Sequence, residues 1–178
     1  MRTTLPGLLL LSALAGCGGL GTPAGTVAPS RGHVTEPPAA LELSTRMARL
    51  GAAEDLIYLI DLEGVTRTAQ TSLPEGGYQA VYTEGGIAFT LTVERRDLTA
   101  DECPSLPIPD AGGPVRCVPT TTGFYRRGGG RHEIVLSRDG FIVRLGGPRT
   151  VPRTRLRSLA FAAHHASAEE FDALLPPR

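Results

Sequence analysis

The sequence predicts an α+β domain, an antiparallel β-sheet of about five to six strands covered by C-terminal helices, with one disulfide-stapled loop. Three observations carry this expectation. Residues 87–94 alternate Ile87, Phe89, Leu91 and Val93 with Ala88, Thr90, Thr92 and Glu94, the period of a strand with one buried face. Glycine-bearing breaks at Glu84-Gly85-Gly86, Gly128-Gly129-Gly130 and Asp139-Gly140 separate short runs of strand-forming residues, as hairpins require. From Arg153 the apolar period lengthens to that of a helix, with Leu156, Leu159, Ala160 and Ala163 on one stripe.

Taken along the chain, Leu43, Met47 and Leu50 recur at helical spacing and Gly51 follows them, so a short amphipathic helix opens the domain. Residues 56–62 are almost all apolar and end at Gly64, which suits a strand covered on both faces, although a buried helical turn has the same pattern. Residues 78–83 and 87–95 form a hairpin around Gly85-Gly86. Residues 101–118 contain four prolines and Gly112-Gly113, too broken for regular structure, and read as a long surface loop. A three-stranded meander follows over 124–127, 131–138 and 141–145. Ile134 and Leu136 share a face with His132, and Phe141, Val143 and Leu145 share one on the next strand, so one side is apolar and the other carries Arg. The helix from Arg153 places His164 at the border of its stripe and His165 roughly opposite, so the two cannot chelate one ion. Attraction to the helix C-terminus accounts for them. Ser167 and Glu170 make a capping box before Phe171, Leu174 and Leu175, and Pro176-Pro177 stops this last helix.

Of 178 residues, 41% are apolar and 20% charged, which suits one globular domain plus a tether. All 18 cationic side chains are Arg, a usage that suggests a GC-rich genome. Net charge is zero, but residues 36–110 hold thirteen acids against five Arg, and residues 115–157 ten Arg against two acids. No nucleic-acid partner is expected. Arg126, Arg127, Arg131 and Arg144 are the candidate anion-facing patch, for anionic lipid or a wall polymer. Arg155 and Arg157 extend it, and neutralisation by acids of the first half is the competing account. The glycine triplet beside Arg126, Arg127 and Arg131 reads as a turn rather than a phosphate cradle, because a strand and not a helix follows it.

The amino terminus carries Arg2, an apolar run over residues 5–14 too short to span a bilayer, and then Leu14-Ala15-Gly16-Cys17. This segment resembles a bacterial lipobox. The resemblance implies that residues 1–16 are a signal peptide and that Cys17 receives diacylglyceryl and then an amino-terminal acyl chain such as palmitate. The protein is then held by lipid on the outer face of the cell membrane. Residues 17–40 are the lipidated cysteine and a flexible tether of Gly, Pro, Ala, Thr and Ser that includes His33, and residues 41–178 are the domain. Such a tether holds the domain ~25 Å from the lipid on average. With Cys17 consumed by lipid, Cys103 and Cys117 pair evenly as a disulfide in an exported chain. A zinc site there needs more ligands than Asp101 and Glu102 supply, and a nucleophilic thiol needs a base that the sequence does not place.

Residues 56–62, the Cys103 and Cys117 loop, Tyr125-Arg126-Arg127 to His132-Glu133, and Ala162-Ala163-His164-His165 to Leu174-Leu175-Pro176 together resemble small uncharacterised membrane lipoproteins of high-GC Gram-positive bacteria. The resemblance spans most of the chain and brings no activity with it. A looser likeness of layout is to extracytoplasmic sensor or lipid-carrier lipoproteins.

No nucleophile with its base, carboxylate pair, metal-binding helix or nucleotide loop stands out, so no catalytic residue, metal site or cofactor is expected. The expected function is a lipid-anchored binding or sensory module of the cell envelope. A carrier for an apolar ligand is the rival, which needs an apolar pocket of a few hundred cubic ångströms. An enzyme assembled from sequence-distant residues is the third reading.

Overall fold

The computed structural model describes residue 45 and residues 48–174, with Asp172 described by its backbone alone. After Gly51, nine strands and two α-helices lie within them: β1 (Tyr58–Ile60), β2 (Thr66–Ser72), β3 (Tyr78–Glu84), β4 (Ile87–Glu94), β5 (Arg116–Thr120), β6 (Gly123–Gly128), β7 (Arg131–Arg138), β8 (Phe141–Pro148), α1 (Arg153–Ala162), β9 (Ala163–His165) and α2 (Ala168–Leu174). The fold is α+β. Seven strands form one antiparallel sheet in the order β2-β3-β4-β8-β7-β6-β5, and β1 pairs antiparallel with β9 as a separate ribbon.

The predicted hairpins are present with local causes. Glu84 pairs with Ile87 across Gly85-Gly86, whose φ angles of 55° and 80° suit the two-residue turn that matches strand twist. Gly128 pairs with Arg131 across Gly129-Gly130, and Arg138 with Phe141 across Asp139-Gly140. Arg155 of α1 ion-pairs with Glu84 at the tip of the first hairpin.

The sheet is buried on both sides of its middle. On one face Tyr78, Tyr82, Phe89, Leu91, Val93, Ile134, Leu136, Val143 and Leu145 pack with Leu156, Leu159 and Ala160 of α1, Phe171 and Leu174 of α2, and the β1–β9 ribbon. The Ile60 N–H donates to the Tyr82 hydroxyl at 3.1 Å, fastening the ribbon to β3. On the other face Leu98, Cys103, Leu106, Phe124, Val135 and Ile142 form a second, smaller core. The expectation of a surface loop over 101–118 is corrected here: Cys103, Leu106 and Ile108 are buried, and the loop roofs the sheet.

Other expectations are corrected as well. Residues 116–118 belong to β5, an edge strand, the position at which Pro119 is tolerated. β2 was not foreseen, since TRTAQTS has little apolar content and lies at the opposite edge. Of residues 56–62 three form a strand, and Leu56 lies in a 3-10 turn. The helix from Arg153 ends at Ala162, and His164 and His165 sit on β9, because pairing with β1 takes residues 163–165 out of the helix. Residues 48–50 are helical, while Leu43 and Met47 lie outside the described residues. The capping box is formed: the Ser167 N–H donates to Glu170 at 2.7 Å and the Glu170 N–H to the Ser167 hydroxyl at 3.3 Å.

Candidate functional site

Cys103 and Cys117 are joined, with Cα atoms 6.2 Å apart, so the loop is stapled to β5 at the sheet edge. Beneath it lies a cluster of charges. Alternation along β6 sends Phe124 and Arg126 to the loop face and Tyr125 and Arg127 to the helix face. Arg126 stands directly opposite Glu133 of β7 and ion-pairs with it. Arg144 of β8 reaches the same carboxylate at 3.3 and 3.2 Å, and Glu94 at 3.4 Å.

The remaining donors go to the loop. Arg126 Nη2 donates to the carbonyls of Cys103, at 3.0 Å, and Leu106, and Arg144 Nη2 donates to that of Pro107 at 2.8 Å. Carbonyls turned inward from an irregular loop need donors, and these two side chains supply them. Arg126 is 0% and Arg144 5% exposed, with Glu133 at 1%. Burial pulls the Arg126 pKa down, and Glu133 beside it pushes it up.

The candidate anion-facing patch is therefore divided. Arg126 and Arg144 face inward as loop clamps beneath the stapled loop, and of the two only Arg144 reaches the groove described below. Arg127 and Arg131 are half-buried, Arg127 on the helix face with His132 and Arg131 on the loop face with Glu133, at the end of the hairpin. Arg155 is occupied by Glu84, and Arg157 is exposed, its guanidinium 5.3 Å from the Phe161 ring. Glu133 is the residue that sequence reasoning missed. It is one of only two acids in the basic half, and its position opposite Arg126 across a two-residue turn was the available signal.

A groove of about 610 Å³ opens beside the clamp. Gln79, Thr92 and Arg144, which lie side by side on β3, β4 and β8, form its floor, and Gln79 donates to Thr92 at 3.4 Å. One wall is the turn at Leu73, Pro74 and Glu75, where Glu75 takes a φ of 61°, and the other is the stapled loop at Leu106, Pro107 and Pro109. Glu94, Arg96, Asp97 and Glu102 line it too, and Arg95 is turned toward Asp55 at 2.6 Å. The N–H and hydroxyl of Thr99 hold Glu102 ionised, its pKa lowered. Charged groups of both signs therefore stand in these walls beside Leu73, Leu106 and three prolines.

The histidines sit elsewhere. His164 Nε2 lies 2.9 Å from Glu170, which raises the histidine's pKa, and His165 Nε2 lies 3.1 Å from the Glu54 carbonyl. His132 is buried with Nδ1 3.1 Å from the Tyr125 hydroxyl, its pKa lowered by burial and then by the charge of Arg149. Among the described residues, no group of three or more His, Cys, Asp or Glu side chains is placed to hold a metal. Among them also, no helix is long and apolar enough to cross a membrane. Cys17 and the tether lie outside the described residues. No protein-family model matches the chain, and no curated protein matches it either.

Proposed function

We propose that this chain is a lipid-anchored binding module on the extracytoplasmic face of the cell membrane, held through Cys17 and presenting the groove beneath the Cys103–Cys117 loop to a polar ligand. The observation that carries the binding reading is the loop itself. A covalent staple and the Arg126 and Arg144 clamps fix one groove wall in place, and a wall ordered before binding spares the ligand that entropic cost. The disulfide supports an oxidising compartment outside the cytoplasm, in keeping with the signal-like residues before Cys17. The resemblance to small lipoproteins of high-GC Gram-positive bacteria points the same way.

Mass spectrometry of the mature amino terminus tests the anchor: it should begin at an acylated Cys17, and Cys17→Ala should block that processing. A mature chain that begins elsewhere without lipid overturns the reading. Two acyl chains give stable attachment where one is marginal, so the native chain should also stay in the membrane fraction through a salt wash.

A further inference from the structure

Strand pairing sets Arg116 of β5 directly opposite Arg127 of β6. Like charges at opposed positions destabilise a sheet unless something lies between them. Arg149, just beyond β8, lines the same recess of about 460 Å³ as these two, together with Gly112, Pro114, Gly128 and Gly129, and the recess has no carboxylate in its walls.

Three other arginines of the basic half are paired with acids. Arg126 and Arg144 share Glu133, Arg144 also reaches Glu94, and Arg155 pairs with Glu84. Arg116, Arg127 and Arg149 make no ion pair with any carboxylate among the described residues. Arg131, Arg138, Arg153 and Arg157 make no such pair either, and what sets Arg116, Arg127 and Arg149 apart is that all three line one recess.

Nearby groups deepen the positive field. Arg153 lies over the Tyr125 ring at 4.2 Å, two positions along β6 from Arg127 and on the same face. It opens α1, a helix with no side-chain cap and no acid in its first turn to offset the positive end of its dipole. Glycine lets the loop close on the β6–β7 turn at the edge of the recess. A Cβ on Gly129 would stand 2.8 Å from the nitrogen and oxygen of Gly112, so the loop and the β6–β7 turn can approach this closely only without a side chain there.

We propose that the recess of Arg116, Arg127 and Arg149 binds a phosphate group carried in a phosphodiester. A tetrahedral anion offers several acceptor oxygens at once, and the planar guanidinium forks suit paired hydrogen bonds to them. The open volume leaves room for the esterified groups. The site is separate from the groove beneath the disulfide loop and does not depend on acylation of Cys17.

The test uses the full chain purified in a non-ionic detergent. Calorimetric titration with inorganic phosphate and with a water-soluble glycerol-phosphate oligomer is compared with titration with short-chain phosphatidylglycerol and phosphatidylcholine in the same detergent, because acyl chains on Cys17 would carry the protein onto vesicles of either lipid. Arg127→Gln with Arg149→Gln should weaken phosphodiester binding about tenfold or more, since a hydrogen bond to a charged group contributes roughly that factor. The same variant should unfold at an unchanged or higher temperature, because it removes repulsion. Arg138→Gln with Arg157→Gln removes as much charge from exposed positions outside the recess and should change binding less than about twofold.

Binding of the oligomer assigns a polymer as the source of the phosphate, and binding of phosphatidylglycerol alone assigns a lipid headgroup; either supports the site if it is lost in the recess variant. No binding of any phosphate probe, or equal losses in the two double variants, overturns it. A failure of Cys17 acylation would leave these results untouched.

Discussion

Replacing Arg126 with Met should be among the most damaging single changes in the domain. Methionine keeps much of the unbranched length of arginine but removes the guanidinium from a position with no solvent exposure. Three partners are affected. Glu133 loses its cross-strand charge but keeps Arg144 at 3.3 and 3.2 Å, so it is not wholly orphaned. The carbonyls of Cys103 and Leu106 lose a donor in a site closed to water, each costing about 1–3 kcal/mol. Breaking a buried pair from one side typically costs about 3–5 kcal/mol, and the two estimates agree in size. For a domain of this length that corresponds to a fall in Tm of roughly 10–20 °C. Urea unfolding of the oxidised protein measures the loss, and hydrogen exchange locates it, with early deprotection at residues 103–108. Replacing the cluster together, as Arg126→Met, Glu133→Leu and Arg144→Met, should cost less than the sum of the three single losses, because no charge is then left unpaired at its centre. A loss below about 1 kcal/mol for Arg126→Met, with unchanged exchange in the loop, would refute the clamp.

Reduction of the Cys103–Cys117 bond should lower stability by about 3 kcal/mol in the chain-entropy model, seen as a lower urea midpoint in reductant; an unchanged midpoint would show that the arginine clamps alone suffice. The His164–Glu170 contact makes stability depend on pH in two limbs. His164 is raised above its ordinary 6.5, so its contribution is full below that value and is lost as pH rises through the raised one. Glu170 is pulled to about 2 by the Ser167 N–H first and His164 second, so its contribution is full above the ordinary 4.5 and is lost as pH falls toward 2. Thermal unfolding across pH should show this contact at its strongest between 4.5 and 6.5, and His164→Gln should flatten the upper limb; an unaltered upper limb refutes the pairing.

Local signals in the sequence determined the hairpins, the capping box and the disulfide. The alternation of residues 87–94, the glycines at two-residue turns, and the Ser167–Glu170 spacing each act within a few residues, so neighbouring chemistry suffices to specify them. The opposed placement of Arg126 and Arg127 was also implicit, since adjacent residues of a strand face opposite ways. Tertiary structure decided what each face met. The loop bearing Cys103 covers the Arg126 face and turns those arginines into buried clamps through carbonyls twenty and more residues away. Edge strands β2 and β5 carry little apolar signal and exist because the neighbouring strands β3 and β6 offer them hydrogen bonds. Likewise, residues 163–165 have nothing local to end a helix. They become a strand because Tyr58–Ile60, about a hundred residues earlier, offers backbone partners that outweigh helical propensity, and that competition is settled only when distant segments are packed side by side.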